Sequence, residues 1–92
     1  MVTINNKNYE IIKNIKDGFE EEVVSEKLTD YFDEYDYIVG DWAYSKLRLK
    51  GFNTKDNKNY KKINDYEKID EYIEKCCAYG CRHFVLKKIE KK

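Results

Sequence analysis

The clearest pattern in the sequence is an alternation of apolar and polar residues over positions 37–41 and 46–52. A period of two is typical of strands that bury one face, and the short connection between the runs favours a β-hairpin. A turn centred on residues 42–45 pairs Ile38 with Leu49. The buried face then carries Ile38, Gly40, Leu47 and Leu49. The opposite face carries Tyr37, Val39, Asp41, Lys46, Arg48 and Lys50.

Alternation also predicts strands at both ends of the chain. Val2 and Ile4 alternate with polar neighbours, two asparagines favour a turn, and the apolar pattern resumes at Tyr9. This start predicts a first hairpin. Residues 82–89 are expected to form a last strand with Phe84 on its buried side.

Two segments carry apolar residues at helical spacing. An apolar stripe predicts a helix over residues 19–34, capped at its start by the carboxylate of Asp17. A second helix is expected to begin after Asn64 or Asp65 and to end at Gly80, which suits the left-handed conformation of a helix terminus.

The element order β-β-α-β-β-α-β defines the expected fold class. It predicts an α+β domain in which two helices pack on one face of a mainly antiparallel sheet. No repeat, linker or low-complexity tract interrupts the sequence, so residues 1–92 are expected to form a single domain.

Two blocks of the sequence resemble a known family. The first block is residues 35–52, YDYIVGDWAYSKLRLKGF. The second combines a Cys-x-x-Gly-Cys motif with an apolar strand, at Cys77, Gly80, Cys81, Phe84, Val85 and Leu86. Together the blocks are similar to the YutD-like family of small bacterial cytosolic proteins. The resemblance implies a compact α/β or α+β fold, and it implies no established activity.

Charge is distributed unevenly along a chain whose formal net charge is zero. Residues 16–41 contain ten acidic and two basic residues, whereas residues 42–62 contain seven basic residues and one acidic residue. The whole molecule therefore has no general attraction to nucleic acid or to an acidic membrane, but a local basic surface is expected.

The sequence favours a cytoplasmic location. No run approaches the roughly 18 apolar residues of a membrane span, and the first residues lack the pattern of a secretory signal. The chain has three cysteines, and an odd number grouped so closely is typical of a reducing compartment rather than of a disulfide framework.

The cysteines and the single histidine raise two hypotheses, a zinc site or a redox site at Cys77, Cys81 and His83. Cys76 and Cys77 would point about 100° apart on a helix, which makes joint coordination awkward. Cys77 would also lie at the helix end that disfavours a thiolate. Packing of small buried residues around the helix end is the alternative, and no cofactor is expected.

A catalytic role for His83 would need a partner such as Asp41, brought to it across the sheet. The sequence contains no nucleophile motif, paired-carboxylate pattern or glycine-rich phosphate loop. We therefore expect a protein that is not an enzyme.

The polar face of the central hairpin and the last strand is the candidate functional surface. Cations interleaved with aromatic residues on a sheet are typical of domains that hold RNA phosphates and stack bases. RNA or a ribonucleoprotein is therefore the first expected partner, with residues 55–62 adding further lysines. The expected contact residues are Tyr37, Lys46, Arg48, Lys50 and Lys87.

A protein partner in the cytosol is the alternative, and no membrane partner is expected. Trp42 and Tyr44 lie at the tip of the predicted hairpin, where aromatic side chains can anchor an interface. Capping of the core edge is the other interpretation of Trp42.

Overall fold

The computed structural model describes residues 2–4, 7–43, 45–77 and 82–89, with the backbone alone at positions 30, 76 and 77. The strands are β1 (Val2–Ile4), β2 (Lys7–Ile15), β3 (Tyr37–Ala43), β4 (Lys46–Phe52) and β5 (His83–Ile89). The helices are α1 (Glu21–Lys27) and α2 (Ile69–Cys77), and 3₁₀ turns span Asp30–Glu34, Lys62–Asn64 and Tyr66–Lys68. The predicted first hairpin forms, and its two asparagines lie outside the described residues.

Strand β5 lies at the centre of the sheet. The strand order is β1-β2-β5-β3-β4, and each neighbouring pair is antiparallel. The two hairpins therefore meet on β5, which is paired along both of its edges. This arrangement confirms the predicted α+β class with an antiparallel sheet. Within the described residues, no helix has the length and apolar character needed to cross a membrane.

The two helices lie on opposite faces of the sheet, so the prediction that both pack on one face is wrong. Ile38 and Val39 follow one another in β3, and their side chains therefore point to opposite faces. Ile38 is buried in a cluster with Val24 of α1, whereas Val39 is buried in a second cluster with Ile73 of α2. A strand covered on both faces carries a continuous apolar run, as β5 does at positions 84–86.

The central hairpin has a different register from the predicted one. It pairs Gly40 with Leu49 and Trp42 with Leu47, two positions away from the expected pairing. β3 runs two residues further than predicted, and the turn places Ser45 at a positive φ of 65°. Because a shift of two preserves the side-chain alternation, the predicted division into two faces is retained.

The first helix is shorter than predicted. It ends at Lys27, and a separate 3₁₀ turn over Asp30–Glu34 replaces the rest of the expected helix. The chain is extended at Thr29, with φ −88° and ψ 178°, and β-branched threonine has low helix propensity. Asp17 does not cap α1, because it adopts a positive φ of 53° in the turn after β2, and Glu20 occupies the N-cap position.

The polar segment between β4 and α2 is held by buried hydrogen bonds. The backbone N–H of Asn53 donates to the Asn64 carbonyl at 2.7 Å, and the Asn53 carbonyl accepts from the Tyr66 N–H at 3.0 Å. The Asp36 carboxylate accepts from the backbone N–H of Thr54 at 3.0 Å. The segment that composition describes as a basic loop therefore has a defined position against the sheet.

Asp65 caps the 3₁₀ turn that leads into α2. Its carboxylate accepts hydrogen bonds from the Glu67 backbone N–H at 2.9 Å and from the Tyr60 hydroxyl at 2.7 Å. The hydrogen bond from Tyr60 is the main reason that the pKa of Asp65 lies below its ordinary value of 3.8. The cap is therefore at a predicted residue, although the α-helix itself begins at Ile69. The predicted helix end, Gly80, lies outside the described residues.

Packing on β5 requires a glycine at position 40. A Cβ atom on Gly40 would overlap the ring of Phe84, which is buried in the α1-side cluster. We expect Gly40→Ala to lower the free energy of unfolding by about 1–3 kcal/mol, the usual cost of overpacking, as measured by urea denaturation. In a Phe84→Leu background the same substitution should cost less. An equal cost in both backgrounds would contradict this contact.

Tyr60→Phe should raise the pKa of Asp65, because it removes a hydroxyl donor to the carboxylate. The stabilisation that Asp65 gives is present above its ordinary pKa of 3.8 and is lost as the pH falls through the lowered pKa. In Tyr60→Phe that loss should therefore begin at a higher pH. An NMR titration of the Asp65 carboxyl group measures the shift. Tyr66→Phe is the control and should leave the pKa of Asp65 unchanged, whereas no change in Tyr60→Phe would refute the role of this hydrogen bond.

Candidate functional site

The face opposite α1 is not the open platform that the sequence predicted. Val39 and Val85 are almost fully buried, and Ile73 of α2 packs against them. Tyr37 stacks on Tyr66, with 5.6 Å between the ring centroids and 14° between the ring planes. One ring face of Tyr37 is thus occupied by a neighbouring tyrosine, and the middle of the sheet face is covered by α2.

Arg48 is tied to a buried carboxylate. One of its guanidinium nitrogens lies 2.5 Å from Asp41 Oδ2, and the side chain of Asp41 is 2% exposed. The other oxygen, Oδ1, has no hydrogen-bond partner among the described residues. Because a buried charge is costly without a paired ion, the first role of Arg48 is to compensate Asp41.

His83 and Asp41 lie directly opposite each other on β5 and β3, which is the arrangement that a catalytic hypothesis required. His83 is 3% exposed, so its imidazole is largely shielded from solvent. Among the described residues, no three or more histidine, cysteine, aspartate or glutamate side chains form a group that could hold a metal ion. The side chain of Cys77 and all of Cys81 lie outside the described residues, so the zinc and redox hypotheses stay predictions.

The exposed lysines Lys46 and Lys87 do not converge on one site. Lys46 is paired with Ala43 at one end of β3, and Lys87 is paired with Tyr37 at the other end. At about 3.4 Å per residue, the length of β3 separates the two pairs by roughly 20 Å. One small ligand therefore does not contact both.

Trp42 lies at the edge of the core. Its Nε1–H donates to the Gly18 carbonyl at 2.7 Å, and the Arg82 guanidinium lies 4.5 Å from the centroid of its ring. The ring also packs against the α1-side cluster. Trp42 thus occupies the core-edge position that was one of its two interpretations from the sequence. Tyr44, the other expected anchor, lies outside the described residues.

A groove of about 360 Å³ lies between β4 and α2. The Phe52 and Tyr72 rings meet edge to face in it, with 5.6 Å between their centroids. Lys50 lies over the Phe52 ring, 5.7 Å from its centroid, and 74% of Ile63 is exposed at the side of the groove. This surface, the lysine-rimmed groove, is defined by Lys50, Phe52, Ile63, Lys68, Glu71, Tyr72 and Lys75.

The local sequence explains why these side chains meet. Lys50 and Phe52 are two residues apart in β4 and therefore share its α2 face. Lys68, Tyr72 and Lys75 recur at spacings of four and three, which places them on one flank of the second helical segment. The sequence-based prediction followed the buried stripe of this helix and missed its basic flank, although the spacing was sufficient to find it.

Ile63 is presented by a hydrogen-bonded turn. Asn64 Oδ1 accepts from the Lys61 backbone N–H at 2.8 Å, and the Asn64 carbonyl accepts from Asn53 at 2.7 Å. The only sequence signal for this residue is that it stands as a single apolar side chain in the polar run KKIND. The exposed isoleucine is therefore fixed in place beside the aromatic rings.

The rim of the groove is positively charged. Lys75 pairs with Glu71 at 2.8 Å, and this hydrogen-bonded contact lowers the pKa of Glu71. Lys50 and Lys68 make no salt bridge with any residue that the structure describes. Lys68 nevertheless lowers the pKa of Glu71 and of Asp65 by electrostatic attraction. The groove thus combines an apolar interior with a rim on which three lysines outnumber one carboxylate.

Comparisons with known proteins agree with the resemblance found in the sequence. A family model described as "Putative antitoxin YutD-like" matches residues 3–87. A Bacillus subtilis (strain 168) protein named "Putative antitoxin YutD" is 45% identical over 91 residues, which cover 99% of this chain and 100% of that relative. The solution NMR structure of protein yutD from B. subtilis has a TM-score of 0.80 at 45% identity and covers 99% of this chain and 83% of its own. The chain belongs to the YutD-like family.

Proposed function

We propose that this protein is a non-catalytic cytosolic domain that binds another protein at the lysine-rimmed groove. The B. subtilis relative is named for an antitoxin role, and such a role fits a protein that binds and neutralises a partner. The name specifies no partner, so the proposal is supported by the chemistry of the groove itself.

The observation that carries the proposal is the exposure of Ile63. Full burial of an isoleucine side chain contributes about 1.5–3 kcal/mol, and 74% of this one is exposed. Tyr72 beside it is partly exposed and offers aromatic surface, with the buried Phe52 ring packed against it, and a few such residues dominate the energetics of most interfaces. A partner that covers Ile63 would therefore gain binding free energy without rearranging the turn that holds it.

RNA is the second candidate, and the basic segment of the chain favours it. Residues 42–62 contain seven basic residues and one acidic residue, and Lys46 and Lys87 are exposed. Phosphate contacts by such lysines would give an affinity that falls steeply with salt. Base stacking would have less surface, because Tyr37 already stacks on Tyr66. A protein partner fits the geometry better.

Capture from a B. subtilis extract tests protein binding. The immobilised protein should retain a discrete protein after nuclease treatment, quantified by mass spectrometry. Ile63→Asp should reduce the retained amount by about ten-fold or more, because apolar burial is lost and a charge is placed at the contact.

Ile12→Asp is the matched control for this experiment. Ile12 is likewise an exposed isoleucine, with 51% of its surface accessible. It lines a separate groove with Tyr37 and Tyr66 on the other flank of the helix, so its replacement should leave retention unchanged. Equal losses in the two variants would contradict binding at the lysine-rimmed groove. Retained material that is released by nuclease, and that is not retained by the Lys46→Ala plus Lys87→Ala variant, would contradict protein binding and favour RNA.

A further inference from the structure

We infer that the lysine-rimmed groove takes an acidic amphipathic segment of the partner protein. In this arrangement an apolar side chain of the segment lies against Tyr72 and Ile63, and the carboxylates of the segment face the lysines. The inference rests on the proposed protein-binding function and adds to it the chemistry of the occupant.

The interior of the groove is built for an apolar side chain. Phe52 is 1% exposed and is backed by Val39 and Ile73 in the α2-side cluster, against which Tyr72 also packs. The partly exposed ring of Tyr72 is therefore held against the folded core, and it is present as an apolar surface before binding. A volume of about 360 Å³ lies near the lower end of ligand pockets, about 300–1,000 Å³, which suits a few side chains of a larger partner.

Both sides of the groove carry lysines, and these outnumber the single carboxylate of the lining, Glu71. Lys50 belongs to β4, whereas Lys68 and Lys75 belong to the helical segment opposite it. Lys50 and Lys68 make no salt bridge within the described ranges, although Lys68 attracts Glu71 and Asp65 from a greater distance. Carboxylates of an incoming segment would therefore be the direct acidic partners of these two lysines. Lys75 already pairs with Glu71 and would contribute less. Apolar and acidic side chains together define an acidic amphipathic segment.

A second copy of the chain fits the groove less well than a different protein does. The larger acidic surplus of the chain, ten acidic against two basic residues, lies in residues 16–41, which include α1, and α1 covers the opposite face of the sheet from α2. Residues 63–78 carry a smaller surplus, five acidic against two basic residues. Contact between the acidic side of one copy and the groove of another would be head-to-tail, and such a contact does not close into a two-fold dimer. The occupant is therefore a segment of another protein.

Fluorescence anisotropy on the full chain tests the inference. The probe is a labelled synthetic peptide of about 15 residues, the length at which an isolated helix becomes marginally stable. It carries leucines at i, i+3, i+4 and i+7 and glutamates elsewhere. We expect saturable binding that weakens several-fold at high salt, because exposed charges are screened. A peptide with serine in place of leucine, or with lysine in place of glutamate, should bind at least about ten-fold more weakly.

Two charge-reversal variants provide the matched comparison. Lys50→Glu plus Lys68→Glu should weaken binding of the acidic probe by about ten-fold or more, because two attractions become repulsions. Lys46→Glu plus Lys87→Glu changes the net charge by the same amount at exposed positions outside the groove. This control should weaken binding by less than about two-fold. Circular dichroism and thermal unfolding verify that both variants are folded.

Equal weakening in the two variants, or equal binding of the serine peptide, would overturn the inference in favour of general charge attraction. No binding of the acidic probe at low salt would also overturn it. Self-association of the protein that is lost in Lys50→Glu plus Lys68→Glu would replace the partner by a second copy. The extract experiment separates the two proposals. If Lys50→Glu plus Lys68→Glu still captures a protein that Ile63→Asp does not capture, protein binding at the groove is supported and only the acidic segment is contradicted.

Discussion

The burial of β5 on both faces is the constraint on which the rest of the structure depends. Phe84 and Leu86 pack in the cluster on one face of this strand, and His83 and Val85 are buried on the other. Since a hairpin pairs along each side of β5, the strand has neither a free edge nor a free face. Gly40 lies where the Phe84 ring needs room. The two hairpins are thus positioned by pairing with the edges of β5, and the two helices are positioned by covering its two faces.

Because α2 covers the second face of the sheet, it determines which charged side chains remain exposed. The face that alternation makes polar is covered where α2 packs on Val39 and Val85. Arg48, its most promising cation, is engaged with the buried carboxylate of Asp41. The exposed lysines predicted as contacts on this face, Lys46 and Lys87, lie towards opposite ends of β3, and further lysines lie along one flank of the helix. The candidate function moves accordingly from the sheet face to the groove beside Ile63.

Alternation predicted the two faces of the central hairpin, because a two-residue shift of register does not exchange them. The turn was missed because it depends on the positive φ of Ser45, which is uncommon for a residue other than glycine. The placement of the helices was missed because the apolar run at positions 84–86 does not say which face each helix covers. Ile63 was missed because a single apolar residue forms no periodic pattern. The turn that exposes it depends on a hydrogen bond from Asn53 to Asn64, which the sequence does not reveal.

Amide chemical-shift mapping tests most directly the central claim that the lysine-rimmed groove is the binding surface. The isotope-labelled protein is titrated with the acidic leucine peptide, and the shifted amide signals are placed on the structure. The account predicts that the largest changes occur at Lys50, Ile63 and Tyr72, while Lys46 and Lys87 stay unchanged. Changes centred on Lys46 and Lys87, or spread evenly over the charged surface, would contradict it.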